Sequence, residues 1–257
     1  MIAELGGRVA LVMGGAAGIG KAIAMKLACC GADVIVADKN IKDAMEVASE
    51  IKGMDRRAIA LECDLMSYKS VKAMTDRAAA NMGKIDICIA SGGTSAKHAK
   101  FFHEMDPSTD FEECMRIQQY PRLYTVHAVL DQMKKQNYGK ILMITTDAGR
   151  VPTPRESLIG SAAAGLVLAT KVMANEFKRW NIRVNLLCMT LVADTPALKD
   201  VMNSPARHVF EKVYDRVPWG IPNAEDIAEA ALFFAAPETD RITGQIMSIN
   251  SGLSFPG

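Results

Sequence analysis

A glycine-rich turn, Gly14-Gly15-Ala16-Ala17-Gly18-Ile19-Gly20, follows a short apolar run ending at Met13 and passes without a linker into residues of helical period. Strand, tight glycine turn and helix in that order open a βαβ unit, and this constrains the chain more than any other feature it carries. Glycine there lets the backbone come close to a pyrophosphate at the helix amino terminus, which makes Gly14, Gly18, Ile19 and Gly20 the expected cofactor-binding positions. Asp38 closes the second apolar run, 18 residues after Gly20. A carboxylate at that place accepts hydrogen bonds from an adenosine ribose and repels a 2′-phosphate, so the sequence predicts NAD over NADP for any dinucleotide held there. Glycine also serves close packing of helix on strand. The turn therefore predicts an inherited binding architecture, and occupancy is a separate question.

The same rhythm continues to the carboxyl terminus. Brief apolar, β-branched runs at 8–13, 33–37, 58–62, 86–90, 140–145, 183–188 and 245–250 read as seven buried strands. Between them, Ile19, Ile23 and Leu27 recur every four residues, as do Leu158, Ala162 and Leu166 and then Ala169, Met173 and Phe177. Asp226, Ala230 and Phe234 mark a last helix. The expected fold is α/β: a single Rossmann-type, doubly wound, parallel seven-stranded sheet with helices on both faces, forming one domain over residues 1–257. Residues 191–222, with Pro196, Pro205, Pro218 and Pro222, read as an irregular excursion outside the sheet, over a substrate cleft.

Composition removes several function classes. Thirty Lys plus Arg against 29 Asp plus Glu leave a formal charge of +1, which provides no electrostatic footprint for nucleic acid or an anionic membrane. The longest purely apolar stretches, such as residues 230–236, fall far short of the roughly 20 residues that span a bilayer, and the amino terminus lacks the pattern of a signal peptide. The six cysteines show no C-x-x-C spacing, so a reducing, cytoplasmic location is expected and a metal site is not. His98 and His103, in an expected loop, lack a third ligand and read as solvated side chains.

Leu5-Gly6-Gly7-Arg8-Val9-Ala10-Leu11-Val12, the turn itself, Cys63-Asp64-Leu65, Gly139-Lys140-Ile141, Ile182-Arg183-Val184-Asn185 and Thr243-Gly244-Gln245 follow one another in order and at suitable separations. On these residues, and over nearly its whole length, the chain resembles the short-chain dehydrogenase/reductase family. The resemblance adds Asp64 to the cofactor-binding set, as the aspartate that meets adenine. It also implies an active site made of a Tyr, a Lys four residues later, a Ser at the end of the fifth strand and an Asn on the preceding long helix. Those positions read here as Ile159, Ala163, Thr146 and Gln118. Met13, Ala90-Ser91-Gly92-Gly93 and Met189-Thr190 depart from the family pattern around the cofactor as well.

An isoleucine has no proton to transfer, and without the lysine both a pKa tuner and a cofactor anchor are gone. The expectation is thus a non-catalytic member, not an enzyme on its own, with Gln118, Thr146, Ile159 and Ala163 as degenerate positions and no firmly expected cofactor of its own. Its partner would be an active, NAD-bearing paralogue in a hetero-oligomer, expected as a heterotetramer, docked through helices at 111–135 and 156–178. The pattern is similar to inactive subunits of two-gene dehydrogenases that act on a hydroxyacyl-CoA, such as 2-[hydroxy(phenyl)methyl]succinyl-CoA in anaerobic toluene degradation. Two alternatives stay open. One is a ligand-binding regulator using the old cleft. The other is an active reductase with a relocated acid, for which Tyr120, Tyr124, His127, Asp147 and Glu156 are the candidates, although each also reads as a packing, solvated or capping residue.

Overall fold

The computed structural model describes residues 3–93, 95–204 and 206–256. Seven strands, β1 (Val9–Met13), β2 (Asp33–Asp38), β3 (Ala58–Glu62), β4 (Ile87–Ala90), β5 (Gly139–Thr146), β6 (Ile182–Met189) and β7 (Ile246–Ser248), form one sheet in the order β3-β2-β1-β4-β5-β6-β7. All six pairings are parallel. This is the expected doubly wound architecture, and the strands fall within a residue or two of the apolar runs that predict them. Val9–Met13 and Ile87–Ala90 are buried along their whole length, as continuous apolar runs must be when helices cover both faces.

One face of the sheet is covered by α1 (Gly18–Cys29), α2 (Ile41–Lys52) and α9 (Ala224–Ala235), the other by α3 (Tyr68–Met82), α5 (Tyr120–Gln136) and α6 (Ser157–Phe177). Alternate residues of each strand serve the two cores: Ala10 and Val12 pack with Ile23 and Leu27, while Leu11 and Met13 pack with Val71, Met74 and Val129. By composition α6 is apolar enough to cross a bilayer, with a mean hydropathy of 1.6. It nevertheless buries Leu158, Ala162, Leu166, Thr170, Ala174 and Phe177 against the sheet, the stripe of a core helix.

Two expectations need correction here. The long helix expected at 111–135 is broken into α4 (Asp110–Gln118) and α5 at Gln119, whose φ and ψ are −115° and −49°. Pro121 causes the break, because its ring excludes the carbonyl of residue 117 and it brings no N–H of its own. Arg122 repairs the loss. Its guanidinium is buried; Nε donates to the Ile144 carbonyl (3.0 Å), and Nη1 donates to the carbonyls of Gln118 (3.2 Å), Ile117 (3.4 Å) and Gly93. One side chain thus ties the broken helix to the ends of β4 and β5. The second correction concerns residues 191–222, which are not irregular: they contain α7 (Pro196–Met202) and α8 (Arg207–Tyr214). Pro205 lies outside the described residues.

The carboxyl-terminal segment is pinned from β5. Asp147, expected as solvated or capping, is buried, and its two carboxylate oxygens accept from Ser248 Oγ and from Asn250 Nδ2 (3.0 Å). Asp147→Ala should leave the buried Asn250 amide short of an acceptor and cost about 2 kcal/mol, read as a lower urea midpoint with faster amide exchange at 246–254. An unchanged midpoint would mean that water replaces the carboxylate without loss.

Candidate active site

The strand order reverses between β1 and β4, and in such sheets the crevice outside the carboxyl ends of the two flanking strands is where ligands bind. Here the crevice is lined by two glycine loops. Gly14 and Gly18 follow β1 with φ of +67° and +51°; Gly92 and Gly93 follow β4 with +84° and +66°. A Cβ on Gly14 would stand 3.0 Å from Gly92 Cα, and one on Gly20 would stand 2.1 Å from the Gly14 carbonyl oxygen. Only glycine at these positions lets the two loops meet and α1 start so close to the turn.

Along this crevice runs a cavity of about 400 Å³, lined by Gly14, Gly18, Ile19, Gly20, Asp38, Asp64 and, from the facing loops, Ser91 and Thr195. All six cofactor-binding positions expected from the sequence therefore lie on one groove. Ala17, the N-cap of α1, offers no side chain to the first turn, which holds no acidic residue; the free N–H groups favour an anion there. Asp38 is oriented by its own neighbours, Oδ2 accepting from the Ala16 N–H (3.2 Å) and Oδ1 from that of Asn40 (3.0 Å). Asp64, at the outer end, accepts from the Met66 N–H (2.9 Å).

Past Ile19, Ser91 and Thr195 the groove leads into a second cavity of about 150 Å³, bounded by Gln118, Arg122, Thr146, Glu156 and Ile159 and roofed from α7 and α8 by Leu198, Asp200, Val201 and Phe210. Three of the positions aligned with the family's active site, Gln118, Thr146 and Ile159, meet there. The fourth does not: Ala163 is buried against Gly149, where an added Cβ would come within 2.7 Å of its own. Gln118 donates from Nε2 to the Ser95 carbonyl (3.0 Å). Thr146 Oγ1 accepts from the Ala148 N–H (3.2 Å), so its hydroxyl proton is left to point at a ligand.

Of the five candidate relocated acids, the fold admits one. Tyr120 and His127 are exposed and Tyr124 is half-buried against the core on the far side of α5; Tyr68 of α3 packs on Tyr124 with its ring tilted by 60° (5.6 Å between centroids), and its hydroxyl meets His127 Nδ1 (2.7 Å). Asp147 is spent on Ser248 and Asn250. Glu156, expected as a solvated or capping carboxylate, makes no cap and stands half-buried in the cavity wall. It occupies the N-cap position of α6 without making a capping bond, and no hydrogen bond or ion pair to its carboxyl occurs among the described residues. Burial pushes that carboxyl up to about 7. Sequence reasoning named Glu156 but missed Arg122, whose burial lowers its guanidinium to about 10. The neighbouring Pro121 was the available signal, since a broken helix needs a donor for its freed carbonyls.

His98 also departs from expectation. His103 is exposed, but His98 is fully buried, with Nε2 at 3.5 Å from Glu113 Oε2 and 3.9 Å from Asp110 Oδ1. Among the described residues there is no cluster of three or more His, Cys, Asp or Glu side chains suited to a metal.

Comparison with known proteins settles the family. Residues 8–205 match the family model described as short chain dehydrogenase. The chain belongs to the short chain dehydrogenase family. Among its relatives, 7alpha-hydroxysteroid dehydrogenase of Escherichia coli K12 is 30% identical over 250 residues, which are 97% of this chain and 95% of that protein. The 4-formylbenzenesulfonate dehydrogenase of Comamonas testosteroni is 28% identical over 253 residues, 97% and 98% of the two chains. A solved 7 alpha-hydroxysteroid dehydrogenase, complexed with NADH and 7-oxo glycochenodeoxycholic acid, superposes with a TM-score of 0.87 at 32% identity, covering 97% of this chain and 95% of that one.

These matches overturn the expectation that the chain is not an enzyme on its own. A short chain dehydrogenase that aligns end to end with dehydrogenases points to an enzyme. The physical reason for the error is that replacements at the aligned positions Gln118, Ile159 and Ala163, together with the changed loops around the cofactor, were read as the loss of the site. The cavity keeps a hydroxyl, an amide, a cation and an ionisable carboxyl.

The ionisation of Glu156 gives a signature without any ligand. Its carboxyl titrates near 4.5 in the unfolded chain and at about 7 in the folded one, so the native state holds the extra proton between those values. Stability therefore falls as pH rises through that window, by at most ~3 kcal/mol at ~1.4 kcal/mol per tenfold change in proton affinity. In Glu156→Gln this loss should be missing: variant minus wild type should rise between pH 4.5 and 7 and level off above. A difference independent of pH would show that the carboxyl is solvated.

Proposed function

We propose that this chain is a nicotinamide-dependent oxidoreductase interconverting a carbonyl and a hydroxyl group in the cavity beneath α7 and α8. The observation that carries this reading is the continuity of the groove with that cavity: glycine loops and Asp38 lie at one end and Thr146 at the other, with Ile19, Ser91 and Thr195 lining both.

The residues present fit a dinucleotide. The uncapped first turn of α1 and the glycine backbone would hold a pyrophosphate, and any side chain at Gly14 or Gly20 would fill that cradle. Asp38, already oriented by Ala16 and Asn40, would take the ribose hydroxyls, which favours NAD; Asp64 lies where the adenine end would rest. A bound nicotinamide supplies or accepts the hydride. Thr146 donates a hydrogen bond to the substrate oxygen and so stabilises the charge it gains, while Leu198, Val201 and Phe210 shield the reaction from water. No lysine anchors the nicotinamide ribose, so the wall formed by Ser91, Gly92 and Arg122 has to position it.

Calorimetry with NAD, NADH and NADP tests this directly. We expect NAD or NADH to bind, Gly20→Ala to abolish binding, and Asp38→Ala to weaken NAD about tenfold while narrowing its advantage over NADP; equal binding of all three by the wild type would remove Asp38 from the account. The expected hetero-oligomer has its own support in the outward face of α6, where Leu168 and Val172 are exposed beside Ser161 and Ala164, and we propose that a second family subunit seats there. Ala162 faces the sheet instead and cannot report on it. Ala164→Trp should lower the mass of the assembly in solution without unfolding the chain; an unchanged mass would place the interface elsewhere.

A further inference from the structure

We propose that Glu156 is the proton donor and acceptor of this site, in place of the tyrosine whose position Ile159 occupies. The proposal rests on the oxidoreductase reading above and adds to it the identity of the acid.

Three observations carry it. Glu156 is the N-cap residue of α6, three residues before Ile159. Both line the cavity that Thr146 and Gln118 enter from β5 and α4. The carboxyl is thereby brought to the reacting region from the same helix, one turn earlier, and can reach a substrate oxygen directly or through one bridging water. Second, the carboxyl is unspent. The buried acids are all engaged: Asp86 bonds the Val9 N–H and pairs with Lys84 (3.0 Å), Asp110 pairs with Lys100 (2.8 Å), and Asp147 holds Ser248 and Asn250, whereas the half-buried Glu156 faces the cavity. Glu156 has no such partner among the described residues. Third, Arg122 approaches the cavity from α5 with its Nε and Nη1 engaged by carbonyls, and no acid pairs with it among the described residues, so it lends positive potential without fixing the Glu156 proton.

The surroundings explain why the group titrates where it is useful. Cys114 of α4, Asp200 of α7 and Arg122 of α5 are the titratable or charged groups facing the carboxyl. Arg155, its neighbour in sequence, turns away to pair with Glu104 (3.3 Å) and to stack on Phe101 (3.9 Å). Desolvation therefore prevails and raises the carboxyl to about 7, the range in which one group serves both as acid and as base.

The step balances as follows. In reduction, the carbonyl π bond breaks, a C–H bond forms with the hydride supplied by the reduced nicotinamide, and the substrate oxygen takes the proton from the Glu156 carboxyl, forming an O–H bond. The carboxylate left behind is reprotonated from solvent. Oxidation is the reverse: the carboxylate takes the hydroxyl proton, and the hydride returns to the oxidised nicotinamide.

The test uses the full-length protein with NADH and a panel of 7-oxo glycochenodeoxycholic acid, ethyl acetoacetate and benzaldehyde, alongside ¹³C-carboxyl NMR titration of the protein without cofactor. Wild type should show one glutamate titrating near pH 7 and a reduction rate that falls above that pH. Glu156→Gln should lose that resonance and at least 10²-fold in kcat, with NADH affinity within twofold of wild type. Glu156→Asp should retain part of the rate, and Tyr120→Phe and His127→Gln all of it. Wild-type rate and pH profile in Glu156→Gln would overturn the proposal while leaving the oxidoreductase reading intact. A wild type that neither binds NADH nor turns over any of the panel would overturn both.

Discussion

The approach of two glycine loops at the carboxyl ends of β1 and β4 is the contact on which the rest of the site depends. A side chain at Gly14 would strike Gly92 and one at Gly20 would strike Gly14, and the meeting of the loops fixes where α1 begins, how deep the groove runs and where the loop after β4 turns toward α4. The parallel sheet creates the need for this contact. Strand order reverses between β1 and β4, so the connections leave in opposite directions and open a crevice there. Gly93 packs against Pro121 and gives its carbonyl to Arg122, which extends the same contact to the broken helix and to β5.

The inner cavity has an electrostatic character of its own. Among the described residues, an arginine without an acidic partner and a carboxyl without any partner both border this small cavity. Each is costly: desolvation lowers the guanidinium and raises the carboxyl, and neither offsets the other. Folded proteins retain such groups at functional sites more often than elsewhere. Replacement of the family's tyrosine by Ile159 keeps the helix packed over this space, while Ala163 accommodates Gly149 and the turn after β5. The departures from the family pattern therefore divide into two kinds. Some, such as Ala163, are structural fits, and others, such as Gln118 and Ile159, change what lines the cavity.

The sheet was legible because buried parallel strands leave unbroken apolar runs, and these gave all seven strands to within a residue or two. The groove was legible too, since Gly14, Gly18, Ile19, Gly20, Asp38 and Asp64 are close to their strands in sequence. What escaped depended on contacts distant along the chain. Glu156 becomes part of a cavity wall only when α7 and α8 supply the roof, some 40 to 55 residues later. Asp147 is bound by Ser248 and Asn250, about a hundred residues away. The helix break at Gln119 could have been read from Pro121, but the continuous apolar spacing across it masked the signal. Reading inactivity from the aligned positions Gln118, Thr146, Ile159 and Ala163 was the costliest error, because it judged chemistry position by position rather than from the cavity that three of them border.

The central claim is that hydride moves in this cleft, and a deuterium substitution at the transferred position of NADH addresses it most directly. With whichever carbonyl probe is reduced fastest, the account predicts that NADH deuterated on the transferred face of C4 is consumed more slowly than protium NADH, with the label recovered on the former carbonyl carbon. NADH consumed at the same rate with the label left in the nucleotide or lost to water, or no consumption at all, would contradict it.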